Sequence, residues 1–104
     1  MSASLSRHGA KLQLAGPVAF ASADTVCDQG LALLTTMTAE GVKDVVVDLA
    51  GLEAPGSVAV AVLLRWARAV AAGGGRLRLA QVPEKCAAIL RVSGLAEALP
   101  EATA

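Results

Sequence analysis

The sequence predicts a single α/β domain in which three main helices pack on a mixed sheet of about four strands, in the order β-β-α-β-α-β-α. Two observations carry this prediction. Val45, Val46 and Val47 follow one another between two aspartates, and such a run without polar alternation is typical of a central strand covered on both faces. Three longer segments place apolar residues at helical spacing, and glycine and proline separate them from short strand-like segments.

The chain length of 104 residues fits one domain with one core. We take residues 1–104 as that domain and expect residues 1–3 and 101–104 to be frayed ends. Hydrophobic residues make up 55% of the chain but aromatic residues only 2%. The core must therefore be built from Ala, Val and Leu, which gain less per residue on burial than larger side chains do.

An antiparallel hairpin and a helix are predicted for the first part of the chain. Leu5 to Arg7 form a short edge strand, and the alternation of polar and apolar residues over 11–15 is typical of a half-buried strand. His8, the only histidine, falls in the turn between them and is expected to be solvated. A first helix, with Ser22 or Asp24 as its cap, then runs to about residue 39. The residues expected to face the sheet are Val26, Gly30, Leu33, Leu34 and Met37.

The second half of the chain continues the pattern of helices and strands. The predicted strand around the three valines closes at Asp48-Leu49-Ala50-Gly51, and Pro55-Gly56 marks a loop. Ser57 stands where the N-cap of a second helix belongs, and this helix runs to about Ala72. Gly73-Gly74-Gly75 is then a flexible helix exit. A strand over 76–80 and a third helix from Pro83 follow, with Cys86, Ile89, Leu90 and Ser93 inward and a Schellman cap at Gly94-Leu95.

A family resemblance rests on the loop at the centre of the chain. Asp48-Leu49-Ala50-Gly51-Leu52, a short gap and then Gly56-Ser57-Val58-Ala59 resemble the signature of STAS domains, which reads like D-L-S-G-V followed by D-S-S-G-L. The chain is most similar to the MlaB-like subunit of the Mla phospholipid transporter, and the anti-sigma factor antagonists are more distant relatives. Gly56 differs from the family pattern, because it stands where the family has an acidic residue next to the hydroxyl.

The resemblance implies a STAS-like fold and two functions. The first is a non-catalytic subunit that binds and regulates or stabilises the cytoplasmic ATPase of a phospholipid-transporting ABC complex. It would then be a cytoplasmic protein, associated with the inner membrane through that partner. The alternative is a phosphoswitch of the anti-sigma antagonist type, in which a partner kinase phosphorylates Ser57. A plain helix cap remains the bland interpretation of Ser57.

The second helix is apolar around most of its circumference. Residues 60, 63, 64, 67 and 70 form one stripe that can bury against the sheet, but Val58, Ala59, Val62 and Trp66 are left over. We expect a partner to cover these remaining residues, with Trp66 as the anchor, unless Trp66 packs under the first helix as core. The predicted partner-binding residues are Gly56, Ser57, Val58, Ala61, Val62, Arg65 and Trp66.

Other function classes are disfavoured by composition. Nine basic and nine acidic residues cancel, so no broad positive field attracts nucleic acid or an anionic membrane. Cys27 and Cys86 lie in apolar helical segments and are expected to be reduced and buried. No nucleophile has an evident base, no metal-ligand spacing occurs, and the triple glycine lacks the Lys-Ser/Thr of a phosphate loop. We therefore predict no enzyme, no cofactor and no metal, and only weakly consider a small-ligand or nucleotide binder.

Overall fold

The computed structural model describes residues 3–53 and 56–101, which form a mixed sheet with helices packed against it. The strands are β1 (Ser4–His8), β2 (Lys11–Pro17), β3 (Asp44–Asp48), β4 (Leu52–Glu53) and β5 (Arg76–Ala80). The helices are α1 (Ala23–Ala39), α2 (Ser57–Ala72) and α3 (Glu84–Val92), and a short 3-10 turn spans Phe20–Ser22. The predicted order of elements is confirmed, with the two-residue strand β4 as an addition. Pro55, which was expected to mark the loop before α2, lies outside the described residues, as do residues 1–2 and 102–104.

The sheet has the strand order β1-β2-β3-β5. β1 and β2 form the predicted antiparallel hairpin, with Leu5 opposite Leu14. β3 is parallel to both β2 and β5, and β4 pairs with the far end of β2. The sheet is therefore mixed, because only the hairpin runs antiparallel.

Only one face of this sheet carries the core. Val45 and Val47 are fully buried, whereas Val46 is half-buried on the other face, between Lys11 and Arg78 in the neighbouring strands. The expectation that β3 is covered on both faces is therefore wrong. The physical reason is the register of β3 with its two neighbouring strands. It places basic side chains on either side of Val46 and keeps that face in contact with water.

The first helix packs much as its periodicity predicts. Val26, Gly30, Leu34 and Met37 are buried, while Leu33 is half-buried at the edge. α1 contacts α2 along much of its length, and α2 also contacts β5 and α3. α2 is thus the central helix of its layer, covered by neighbours on several sides.

Three details at the ends of α2 and α3 differ from expectation or refine it. A Cβ atom added to Gly75 would lie 2.5 Å from the carbonyl oxygen of Lys43, so this residue is glycine because two backbones approach closely there. The helix exit is in this respect tightly packed rather than flexible. At the end of α3, the Leu95 amide donates to the carbonyl of Leu90 at 2.9 Å, as the Schellman motif requires. Ser93, expected to face inward, is exposed.

Candidate functional site

The segment that leads from β3 toward α2 is held by the carboxylate of Asp48. One of its oxygens accepts a hydrogen bond from the Ala50 amide at 2.9 Å, and the other pairs with Lys11 at 3.1 Å. The hydrogen bond from the Ala50 backbone, followed by the contribution of Lys11, lowers the pKa of Asp48 below its usual range. Asp48 therefore closes a turn, and its charge has a structural partner.

Ser57 is exposed at the start of α2, but it is not the N-cap. Gly56 occupies that position with extended backbone, and its carbonyl accepts the Val60 amide at 3.2 Å. The expectation that Ser57 caps the helix is therefore wrong by one residue, because the helix already begins at Ser57. Among the described residues, its hydroxyl makes no hydrogen bond, and it is exposed in the first helical turn, whose amides have no partner within the helix.

Trp66 belongs to the core. Its side chain is 0% exposed, and its indole N–H donates to the carbonyl oxygen of Cys27 in α1 at 3.1 Å. The interpretation of Trp66 as a partner-binding anchor is therefore wrong, and the alternative that it packs under the first helix is correct. The reason is that α1 crosses α2 and supplies both an apolar surface and an acceptor for the indole.

Gly30 makes this crossing so close. A Cβ atom on Gly30 would lie 2.2 Å from the Cε2 atom of Trp66, so the indole ring lies directly on the glycine backbone. Val62 and Ala59, two other residues that the sequence left without cover, are 4% and 2% exposed. Most of the apolar side chains of α2 that lie outside its sheet-facing stripe are thus buried within the chain itself.

What remains on the surface of α2 is a smaller patch near its N-terminus. Ser57, Ala61 and Arg65 are exposed, and Gly56 and Val58 are half-buried. We call these five residues the α2 surface. It retains five of the seven residues predicted to bind a partner, and it excludes Val62 and Trp66.

Phe20 is a surface feature that the sequence interpretation missed. Its side chain is 89% exposed, and it stands at a groove between the N-terminal parts of α1 and α2. The groove has a volume of about 200 Å³ and is lined by Phe20, Ala23, Asp24, Cys27, Val58, Ala61, Val62 and Arg65. The one available signal was the presence of a lone phenylalanine outside any periodic segment.

The titratable and nucleophilic groups are dispersed. Cys27 and Cys86 are free and buried, and burial raises the pKa of each thiol. His8 is exposed at the end of β1. Within residues 3–53 and 56–101, no three His, Cys, Asp or Glu side chains are grouped closely enough to hold a metal ion. No helix in the same residues is long and apolar enough to cross a bilayer.

Comparison with family models decides the classification. A model described as "Mlab, STAS domain" matches residues 1–101, nearly the whole chain. The chain belongs to the STAS domain family. STAS domains are generally non-catalytic regulatory modules that act on partner proteins, so the chain is a STAS regulatory module. None of the curated proteins matches it.

Solved structures share the STAS fold at low sequence identity. An anti-sigma-factor antagonist (STAS) domain protein from Planctomyces limnophilus is 18% identical, with a TM-score of 0.73 over 98% of this chain and 90% of that one. An anti-sigma factor antagonist from Mycobacterium paratuberculosis is 15% identical, with a TM-score of 0.69 over 99% and 86%. The phosphorylated Bacillus cell fate determinant SpoIIAA is 19% identical, with a TM-score of 0.63 over 98% and 92%. These matches confirm the predicted fold.

Proposed function

We propose that the chain is the non-catalytic STAS subunit of a phospholipid-transporting ABC complex of the Mla type, and that it binds the cytoplasmic ATPase of that complex. The match of residues 1–101 to the family model described as "Mlab, STAS domain" is the observation that carries this proposal. In such a complex, the chain would stabilise the ATPase or set its activity. It would stay at the cytoplasmic side of the inner membrane through that contact.

The α2 surface is the proposed docking site. It combines small, uncharged side chains with one arginine, and Gly56 at the helix start adds no charge of its own. A partner can approach the helix closely at Ser57 and Ala61, because both side chains are short. An acceptor group on the partner could also bind the Ser57 hydroxyl and the amides of the first turn, which have no partner within the helix.

Co-purification tests this proposal. The tagged chain is isolated from its own cells under gentle detergent conditions, and the proteins recovered with it are identified by mass spectrometry. We expect an ABC ATPase with the wild type and at least a tenfold lower yield with Ser57→Arg, since a long cation at the centre of an interface prevents close contact, at a cost of about 1.4 kcal/mol or more.

The matched control is Ala72→Arg, which places the same side chain at the exposed C-terminal end of the same helix. It should recover the ATPase as well as the wild type does. Recovery of no ABC ATPase by the wild-type chain, or equal recovery by both variants, would contradict the proposal.

A phosphoswitch at Ser57 is the second candidate. It is supported by the exposure of Ser57 at the first helical position, where the hydroxyl is accessible to a kinase. A phosphate there would add about −1.5 to −2 charges and would be favoured by the positive end of the helix dipole. The absence of an acidic neighbour at Gly56 weighs against it.

Mass spectrometry of the protein from its own cells tests this candidate directly. A phosphoswitch requires phosphorylated Ser57 and a loss of partner binding in Ser57→Asp. The neutral control is Ser57→Asn, because asparagine has nearly the same shape as aspartate but no charge. It should bind the partner as the wild type does. If Ser57→Asp and Ser57→Asn bind alike and no phosphate is found, the chain is not a phosphoswitch.

A further inference from the structure

Phe20 is presented to solvent by a defined turn. The Ala19 amide donates to the Ser22 hydroxyl at 3.3 Å, and that hydroxyl donates back to the Ala19 carbonyl at 3.2 Å. These bonds hold the turn in which Phe20 lies, while 89% of its side chain stays exposed. An aromatic side chain in water forgoes the free energy that its burial would contribute, so a fixed and exposed one marks a contact site when an apolar groove lies beside it.

The groove at Phe20 suits one side chain rather than a small molecule. Its volume of about 200 Å³ is below the range of about 300–1,000 Å³ that is usual for small-molecule sites. The walls are almost entirely apolar, with Val58, Ala61 and Val62 on the α2 side. An apolar ring can therefore fill the groove without leaving a polar group unpaired.

Opposite charges lie on the two sides of this groove. Asp24 lines it from α1 and Arg65 from α2, and both side chains are exposed. Among the described residues, neither of them forms an ion pair. Because the net charge of the chain is zero, a second copy meets no overall electrostatic repulsion.

We propose that this groove binds a second copy of the chain, in a two-fold dimer in which the Phe20 ring of each copy enters the groove of the other. A two-fold axis brings the same patch of both copies together. Every contact between a residue of the first copy and a residue of the second therefore occurs twice, with the roles of the two copies exchanged. Asp24 of one copy then pairs with Arg65 of the second, and the same pair forms again across the axis. Phe20, the apolar groove and the two charges are thus all satisfied by one arrangement.

The dimer buries Val58, Ala61 and Arg65, which also belong to the α2 surface. It therefore excludes the contact proposed for the ATPase, and free chain is stored as a dimer that dissociates before it binds. The dimer needs no partner protein, however. Experiments on the purified chain alone test it, and their failure would leave the proposed ATPase contact unaffected.

Sedimentation equilibrium over a range of concentrations measures the dimer. We expect a reversible monomer–dimer equilibrium for the wild-type chain, and a dissociation constant at least about tenfold higher for Phe20→Ala, since removal of a central aromatic anchor has effects of this size. Val92→Ala is the matched control, because Val92 is also 89% exposed but lies on α3. A wild-type chain that is monomeric at all concentrations, or equal dissociation constants for the two variants, would overturn the proposal.

Charge exchange tests the pairing itself. Asp24→Arg and Arg65→Asp should each weaken self-association, because each places like charges together across the axis. An equimolar mixture of these two variants should dimerise again, since both cross-axis pairs are then of opposite sign. Glu97→Arg, a charge reversal at an exposed residue that does not line the groove, should dimerise as the wild type does. A mixture that stays monomeric while the wild-type chain dimerises would show that Asp24 and Arg65 do not meet.

Discussion

The two sides of α2 differ in what their residues do, although both look apolar in the sequence. On the buried side, the indole of Trp66 lies on the backbone of Gly30 and donates to Cys27. On the exposed side, Ser57, Ala61 and Arg65 face solvent near the start of the helix. The largest side chain of the helix thus serves the fold, and two small side chains with one arginine form its exposed surface.

This difference shows that a large apolar side chain does not by itself indicate an interface in a small domain. A tryptophan offers the most area to a partner, but it also offers the most to the chain's own core. In this chain α1 buries Trp66, so its side chain is not left for a partner. The following predictions test the separation of the two sides, and they are ordered from the largest expected effect on stability to the smallest.

Trp66→Ala should destabilise the fold by ~3–5 kcal/mol, because it removes the largest core side chain and leaves a cavity under α1. Urea unfolding followed by circular dichroism measures the change. The control Arg68→Ala, at an exposed position of the same helix, should stay within ~0.5 kcal/mol of the wild type. Unchanged stability of Trp66→Ala, together with weaker partner binding, would return Trp66 to the interface.

Gly30→Ala should destabilise the fold by ~1–2 kcal/mol, because the added methyl group collides with the Trp66 ring. In an open helix the same change would stabilise by about 1 kcal/mol, so the sign of the effect is diagnostic. A double-mutant cycle with Trp66→Leu, measured by urea unfolding, should show that most of the loss depends on the indole. Additive effects of the two changes would contradict the close contact.

Asp48→Asn should destabilise the fold by about 1 kcal/mol at pH 7, since a carboxylate that accepts a backbone amide and pairs with Lys11 is replaced by a neutral group. The pKa of Asp48 is lowered in the folded chain, so its contribution is present above the ordinary pKa and is lost as pH falls through the folded value. The difference between variant and wild type should therefore shrink as the pH falls below the ordinary pKa of the carboxyl group.

Urea unfolding at a series of pH values measures this effect. Lys11→Met keeps the Ala50 hydrogen bond, which is the larger cause of the lowered pKa, and should show a smaller change than Asp48→Asn. A constant difference between Asp48→Asn and the wild type at all pH values would contradict this account of the turn.

Gly56→Asp should change stability least, with a gain of about 0.3 kcal/mol, because aspartate is a slightly better N-cap than glycine. Among the described residues other than its chain neighbours, no atom lies within 4 Å of a Cβ built at Gly56, so they leave room for the side chain. Thermal unfolding measures the change. Gly75→Ala is the contrasting variant and should lose stability, since its Cβ meets the Lys43 carbonyl. A large loss in Gly56→Asp would show that the start of α2 is not open.

The sequence predicted the order of elements well, because periodicity and glycine punctuation are local signals. The end of α2 at Ala72 matches the prediction, and Gly94 with Leu95 closes α3 as expected. The one-residue error at Ser57 arises because a serine and a glycine are both acceptable caps, and only the backbone conformation distinguishes them.

The burial of side chains by elements distant in the sequence could not be predicted in the same way. Helical periodicity shows that Trp66 and Val62 are apolar and surplus to the sheet-facing stripe, but it does not show that α1 packs across them. Gly30 was expected to face inward, yet its role depends on a residue far away in the sequence, Trp66. Phe20 lies in a single turn with no period, so its exposure is visible only in the folded chain.

Site-specific photo-crosslinking tests most directly whether the start of α2 is a docking surface separate from the core. A crosslinking amino acid is placed at Ala61 or at Ala72, two exposed positions on the same stripe of α2, about 16 Å apart along the helix. The account predicts a covalent adduct with an ABC ATPase from position 61 and none from position 72, in cells. Adducts of equal yield from both positions, or an ATPase adduct from position 72 alone, would contradict it.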